Sequence, residues 1–281
     1  MISLTLGVLA ALLWGLHDFC VRYVSARSAP LPLLVTVLGM GSLLLLPLAA
    51  GWGDWGAMNG RAFGLAALSG LAYMMGCIAL YNAFALGPVR LVAPILGSFP
   101  ILSLAWAAAQ GQPVSMGQWL AVVAIVGGIA AVGIWSHKDG AAQARAGAAI
   151  GWAVMGAAGW AATFAIGQAA TVAGSPLPVQ LVGRVVAALV LGCLILALRV
   201  EWRIDRRHWP VLVGMAFLDV TALGAVLTAG GQPRPEFAAV ASSLFGLVTI
   251  LLAWRFLREP MARAQWLGVA VVFAGIAYLA I

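Results

Sequence analysis

Charge is what this chain lacks most. Of its 281 residues only 8% are Asp, Glu, Lys or Arg, against roughly 25% in an ordinary soluble domain. So little charge cannot cover a water-exposed surface, and lipid must be the solvent along most of the length. Cysteine is scarce too. Cys20, Cys77 and Cys193 are odd in number and far apart, which points to neither a disulfide framework nor a metal site; packing accounts for them. Also missing are H-E-x-x-H, G-x-S-x-G, a Cys/His ligand cluster and a Gly-rich phosphate loop. His17, His137 and His208 all approach the cytoplasmic face, and two of them sit in loops with no paired nucleophile. No enzyme activity, cofactor or metal is therefore expected, and without rings of charge a passive channel is disfavoured.

What is present is apolar: 64% of the chain is hydrophobic. A span needs about 20 mostly apolar residues to cross a hydrocarbon core of roughly 30 Å. Breaks at Pro, Gly and charge predict ten spans, at 2–23, 31–50, 63–86, 91–109 and 116–135, then 148–171, 177–198, 209–229, 236–256 and 262–281. Lipid-exposed open sheet is too costly in unpaired backbone groups, so the spans are predicted to be helices. The stretch from Ile2 to Tyr23 has no basic leader before it and no small-residue cleavage site, so it is read as a retained first span rather than a signal.

Residues 66–132 reappear without a gap at a shift of 147, which places Pro88 on Pro235, Gln118-Trp119 on Gln265-Trp266 and Gly128 on Gly275. Five spans per copy is an odd number, so the second copy should sit inverted in the membrane, an arrangement on which many secondary transporters build alternating access. The expected organisation is a first five-helix repeat at 1–137, a cytoplasmic linker at 138–147 and an inverted repeat at 148–281. The net charge of +7 does not suggest nucleic acid, because the basic residues punctuate span ends. One side collects Arg22, Arg27, Arg90, Lys138, Arg145, Arg199, Arg203, Arg206, Arg207, Arg255, Arg258 and Arg263; the other has Arg61 and Arg234. The positive-inside rule puts the Arg-rich loops in the cytoplasm and both termini outside.

Candidate site residues follow from depth. Trp14 and Trp160 lie near the midplane of the first span of each repeat, matched at a shift of 146. They are either aromatic walls of a central cavity or packing between helices. Asp18 and Asp219 are the acidic residues well inside spans, and a carboxylate there needs a wet cavity, a proton or a partner. Arg184 lies at a depth similar to Asp219, so the two are expected to pair, bracketing a zwitterionic substrate or fixing helix packing. His17, Asp18 and Asp219 are the groups able to couple transport to protons, and His17 or Asp18 could instead bind a substrate ammonium, although Asp18 is expected to pair with Arg22 at the i, i+4 spacing. Tyr73, Cys77 and Tyr81 form one stripe on the third span, whose hydroxyls want a wet path, a substrate or a packing partner. Pro94 and Pro100, with Gly97 and Ser98 between them, make the fourth span a candidate hinge and part of the site; Gly246 in the ninth is its counterpart.

Leu13-Trp14-Gly15, Tyr81-Asn82-Ala83-Phe84-Ala85, Gln118-Trp119 with Gly127-Gly128, and Arg258-Glu259-Pro260 followed by Gln265-Trp266-Leu267-Gly268 resemble the drug/metabolite transporter superfamily, in its ten-helix EamA-type members. The likeness covers nearly the whole chain. One departure is that the family usually carries an acidic residue at the Glu259 position of both halves, whereas the first half has Gln112. At a helix end that change is expected to alter local capping rather than transport. The resemblance implies an inner-membrane exporter of small metabolites, with amino acids, including aromatic ones, as the substrates suggested by some members. Deep carboxylates together with Trp keep proton-coupled efflux of hydrophobic cations as the alternative. Small solute and bilayer are the only partners expected. The oligomeric state is left open by the sequence, with a monomer sufficient.

Overall fold

The computed structural model describes residues 2–25, 28–109, 114–134, 140–233 and 235–279. Arg27, Gln112, His137, Lys138, Asp139 and Arg234 lie outside them. The described residues contain helices and no strand: α1 (Ile2–Ser25), α2 (Pro30–Trp52), α3 (Gly60–Leu86), α4 (Val89–Leu96), α5 (Phe99–Ala109), α6 (Met116–Ile134), α7 (Gly140–Ala173), α8 (Pro176–Ala197), α9 (Trp209–Thr228), α10 (Glu236–Ser242), α11 (Phe245–Phe256) and α12 (Arg263–Leu279). Seven helical segments are long and apolar enough to cross a membrane, and three shorter apolar ones, Val89–Leu102, Met116–Ala131 and Arg263–Tyr278, complete the ten.

Local chemistry sets the ends. Pro occupies the first turn of α2, α8 and α9, where a missing N–H costs nothing. The Asn59 side chain accepts from the Ala62 N–H at 2.9 Å to start α3, and α3 stops at Gly87, whose N–H reaches Ala83 O at 2.9 Å. Beyond α8 and α11, Arg199 and Arg258 take positive φ of 50° and 54°. That left-handed backbone costs a non-glycine residue about 1–3 kcal/mol, and it turns the chain sharply off each helix.

Two predicted spans are not single helices. The fourth divides into α4 and α5 at Gly97-Ser98, and the ninth into α10 and α11 at Ser243-Leu244. In the fourth, Pro100 has no N–H to continue the ladder, and Ser98 Oγ donates back to Ile95 O at 2.6 Å. In the ninth no proline is involved. There Ser242 and Ser243 donate to Ala239 O and Val240 O at 2.7 and 2.6 Å, a back-bonding that bends helices. The breaks face each other. A Cβ on Gly97 would sit 2.8 Å from Ser243 O, and one on Gly246 would sit 2.8 Å from Ala93 O, so only glycine permits this crossing. The sixth span is also longer than predicted: α7 begins at Gly140, inside the stretch assigned to the linker.

Packing intertwines the halves. α3 lies along α7, α1 along α9, α10 and α11, and α6 along α12. Between α3 and α7 the backbones touch, since a Cβ on Gly159 would stand 2.5 Å from Gly76 Cα. Close approach of this kind drives helix association in lipid, where hydrophobic burial between helices gains little. α1 begins where α7 ends: Ser3 Oγ donates to Pro233 O at 2.7 Å, and Gln168 Nε2 to Pro235 O at 3.4 Å. The equivalent first helices therefore run in opposite directions.

Candidate substrate site

Four helices converge on one carboxylate. Asp219 of α9 accepts from Trp14 Nε1 of α1 at 2.9 Å on Oδ1. On Oδ2 it accepts from Arg184 Nη2 of α8 at 2.7 Å and from the Tyr73 hydroxyl of α3. The pair is dry, with side chains 0% and 2% exposed for Arg184 and Asp219. Burying a carboxylate without partners is prohibitive, so three donors, one of them charged, are what let Asp219 sit there. The expected Arg184–Asp219 pair is thus present, and Trp14 and Tyr73 join it. The Arg184 guanidinium also lies 5.5 Å from the Tyr73 ring centroid. Its Nε and Nη1 make no hydrogen bond with the described residues, beside a space of ≈ 10 Å³ lined by Ser69, Gln180 and Gly183, which is about the size of one water.

The deep tryptophans pack against each other rather than line an open chamber. Trp14 and Trp160 are 5.2 Å apart by ring centroid, and Phe164 stacks on both at 5.6 Å. Tyr73 meets Trp160 edge-on at 5.5 Å, and Phe99 meets Phe164 at 5.1 Å. Phe164 and Phe99 were not singled out from sequence, yet Phe164 falls one turn after Trp160, and that i, i+4 spacing was the available signal. One indole differs from the other. Trp14 Nε1 is engaged, whereas buried Trp160 Nε1 has no hydrogen-bond partner among the described residues.

A turn beyond Trp14 lies a second polar group. His17 Nδ1 and Asp18 Oδ1 are 2.9 Å apart, and the His17 ring is 6.4 Å from that of Tyr81. All three residues are buried. His17 Nε2, Asp18 Oδ2 and the Tyr81 hydroxyl make no hydrogen bond with the described residues. The expected i, i+4 pair of Asp18 with Arg22 is not formed. Arg22 instead reaches across the repeat, donating from Nε to Glu259 Oε1 at 3.0 Å and from Nη1 to Phe84 O at 2.8 Å. An interhelix carboxylate that also accepts from the Val89 N–H at 3.0 Å outcompetes the neighbour one turn away, and Asp18 is left to His17. Glu259 thereby caps α4 and ties α1 to it, a tie across elements that spacing within α1 does not reveal. The left-handed Arg258 aims it there.

Ser98 is not brought to this centre. It lines a separate cavity of ≈ 340 Å³ with apolar residues of α4, α5, α6 and α7. Pro94, Pro100 and Gly246 flank the two helix breaks. Among the described residues no group of His, Cys, Asp or Glu is arranged to hold a metal, and Cys20, Cys77 and Cys193 are free thiols.

The EamA-like transporter family matches the chain twice, over residues 1–134 and again over residues 147–281. No curated protein matches it. Among solved structures 22 chains match. One crystal structure superposes with a TM-score of 0.68 at 14% identity, over 98% of this chain and 95% of its own, a likeness that speaks to fold alone.

Proposed function

We propose, from the premise that the chain belongs to the EamA-like transporter family, that it is an inner-membrane secondary carrier exporting small metabolites, amino acids above all and aromatic ones among them. The two five-helix halves are inverted relative to each other and rock in alternating access, with the Arg-rich end in the cytoplasm. One observation carries the substrate reading. Asp18 Oδ2, His17 Nε2, the Tyr81 hydroxyl and Trp160 Nε1 are buried polar atoms without a hydrogen-bond partner among the described residues, set against a wall of aromatic rings. Natural proteins keep few such groups. An ammonium suits Asp18, and a carboxylate suits the indole N–H and the tyrosine hydroxyl. An aromatic side chain suits the Trp14–Trp160–Phe164 layer. Asp219 and Arg184 hold α1, α3, α8 and α9 together beside that site and orient Trp14 and Tyr73. The site draws on one chain, so a monomer in the bilayer suffices.

Arg22, Glu259 and the first turn of α4 close the Arg-rich end in this conformation, and Arg90 Nη1 adds a bond to Pro260 O at 2.8 Å. At the other end Gln168, the counterpart of Arg22 at a shift of 146, makes only long neutral bonds, to Val226 O at 3.3 Å and Pro235 O at 3.4 Å. The breaks in α4–α5 and α10–α11, flanked by Pro94, Pro100 and Gly246, supply the bend between states. A second reading, proton-coupled efflux of hydrophobic cations, is favoured by the same free oxygen of Asp18, which takes up either a cation or a proton.

Counterflow in proteoliposomes tests both. Purified protein preloaded with each common amino acid, or with lipophilic cations, should drive uptake of the labelled solute by saturable exchange. Trp160→Phe and Asp18→Asn should weaken it. Counterflow by none of these solutes, or by lipophilic cations alone, contradicts the amino-acid reading.

A further inference from the structure

The ≈ 340 Å³ cavity is walled by Ser98, Leu102, Val126, Ile129, Val154 and Ala157 among others. Among the described lining residues the one hydroxyl, on Ser98, is spent on Ile95 O, so none of them asks for water. Phe99, the next residue, does not line the cavity and packs on Phe164 in the aromatic layer. Leu102, Val126 and Val154 are exposed on the lipid-facing surface, at 40%, 55% and 54%, so the cavity is continuous with the hydrocarbon outside.

The repeat explains why it exists. At the shift of 147, Ser98 corresponds to Phe245 and Val126 to Phe273. Both phenylalanines are buried, 3% and 5% exposed. At these two equivalent positions the second half carries buried aromatic rings, and the first half carries a hydroxymethyl and an isopropyl group. Close-packed interiors do not leave such space unfilled without losing the contacts of its walls.

We propose that an acyl chain of a bilayer lipid occupies this cavity as a bound, site-specific component, supplying bulk that the second half carries as Phe245 and Phe273 at the equivalent positions. The chain lies against Ser98 at the α4–α5 break, so the bilayer touches the bending point of one half and not the other. The inference rests on the membrane setting and the repeat, not on which solute is carried.

The test is photo-crosslinking in vesicles of phosphatidylethanolamine and phosphatidylglycerol doped with phosphatidylglycerol bearing a diazirine on its acyl chain. Ala157 is 3% exposed and Val123 67%, so bulk lipid reaches Val123 but reaches Ala157 only through the cavity. Wild type should be labelled at both. Ser98→Phe with Val126→Phe, which rebuilds the second half's filling, should lose the Ala157 label and keep that on Val123. Val154→Trp, which blocks the cavity from the opposite wall, should do the same if the double variant does not fold. Three results overturn the proposal: no label on Ala157 in wild type, a label that survives in the filled variants, or a label displaced by a transported solute. The last makes the cavity a solute site, and counterflow failing in wild type leaves the lipid result untouched.

Discussion

Replacing Arg184 by Met removes the charge facing Asp219 and keeps an unbranched apolar stem without the guanidinium. Breaking one partner out of a buried ion pair costs about 3–5 kcal/mol, because the remaining charge is left uncompensated. Here the lower end is expected, since Trp14 and Tyr73 still donate to Asp219 and a hydrogen bond to a charged group retains roughly 1.5–3 kcal/mol. At 1.36 kcal/mol per tenfold, a loss of about 3 kcal/mol is a roughly hundredfold rise in the unfolding constant. Adding Asp219→Asn should recover most of it, because the neutral amide oxygen accepts from either donor and leaves no orphan charge. The assay is reversible unfolding by SDS titration in mixed micelles, run as a double-mutant cycle. The reasoning is refuted if Arg184→Met unfolds within about 0.5 kcal/mol of wild type, the scatter of a neutral substitution, or if the double variant is no more stable than the single.

Trp14→Phe keeps a ring in the stack but deletes the donor to Asp219. It should cost about 1.5 kcal/mol in the same titration, and a cost near zero would show that Trp14 acts through packing alone. Glu259→Ala frees Arg22 and uncaps α4, so a cysteine placed at Val24, fully buried in wild type, should become reactive to an impermeant maleimide from the Arg-rich side once the three native cysteines are replaced. Unchanged labelling removes Glu259 from the closure. Gly159→Leu forces the α3–α7 crossing apart at Gly76, where overpacking costs about 1–3 kcal/mol or more. The expected outcome is loss of a monodisperse peak in size-exclusion chromatography, and a well-behaved variant would show the crossing to be loose.

Sequence reasoning reached the ten apolar helices because hydrocarbon thickness and backbone satisfaction leave few options, and family membership agrees with the resemblance carried by Leu13-Trp14-Gly15 and Arg258-Glu259-Pro260. It also brought Trp14, Tyr73, Trp160, Arg184 and Asp219 into one picture, since polar and aromatic residues at matched depth have only one another to meet. It missed what depends on three-dimensional competition. Asp18 was assigned to Arg22 because the spacing within α1 is visible and the approach of Glu259 from another element is not. The ninth span, where Gly246 was the hinge candidate, divides slightly earlier, at Ser243-Leu244, because the bend comes from Ser242 and Ser243 hydroxyls and not from the glycine. The ≈ 340 Å³ cavity was hidden because it is an absence of volume, legible only when Ser98 and Val126 are set beside Phe245 and Phe273.

Paired distances read on one protein test the central claim directly. Spin labels at Leu86 and Phe256, both exposed at the Arg-rich end, and a second pair at Arg61 and Gln232 at the other end, report each mouth separately in vesicles by double electron–electron resonance. With two counter-running halves rocking about the Asp219 centre, a transported amino acid shifts the two distance distributions in opposite senses, one widening as the other narrows. Distributions that both stay fixed, or that both widen together, contradict it.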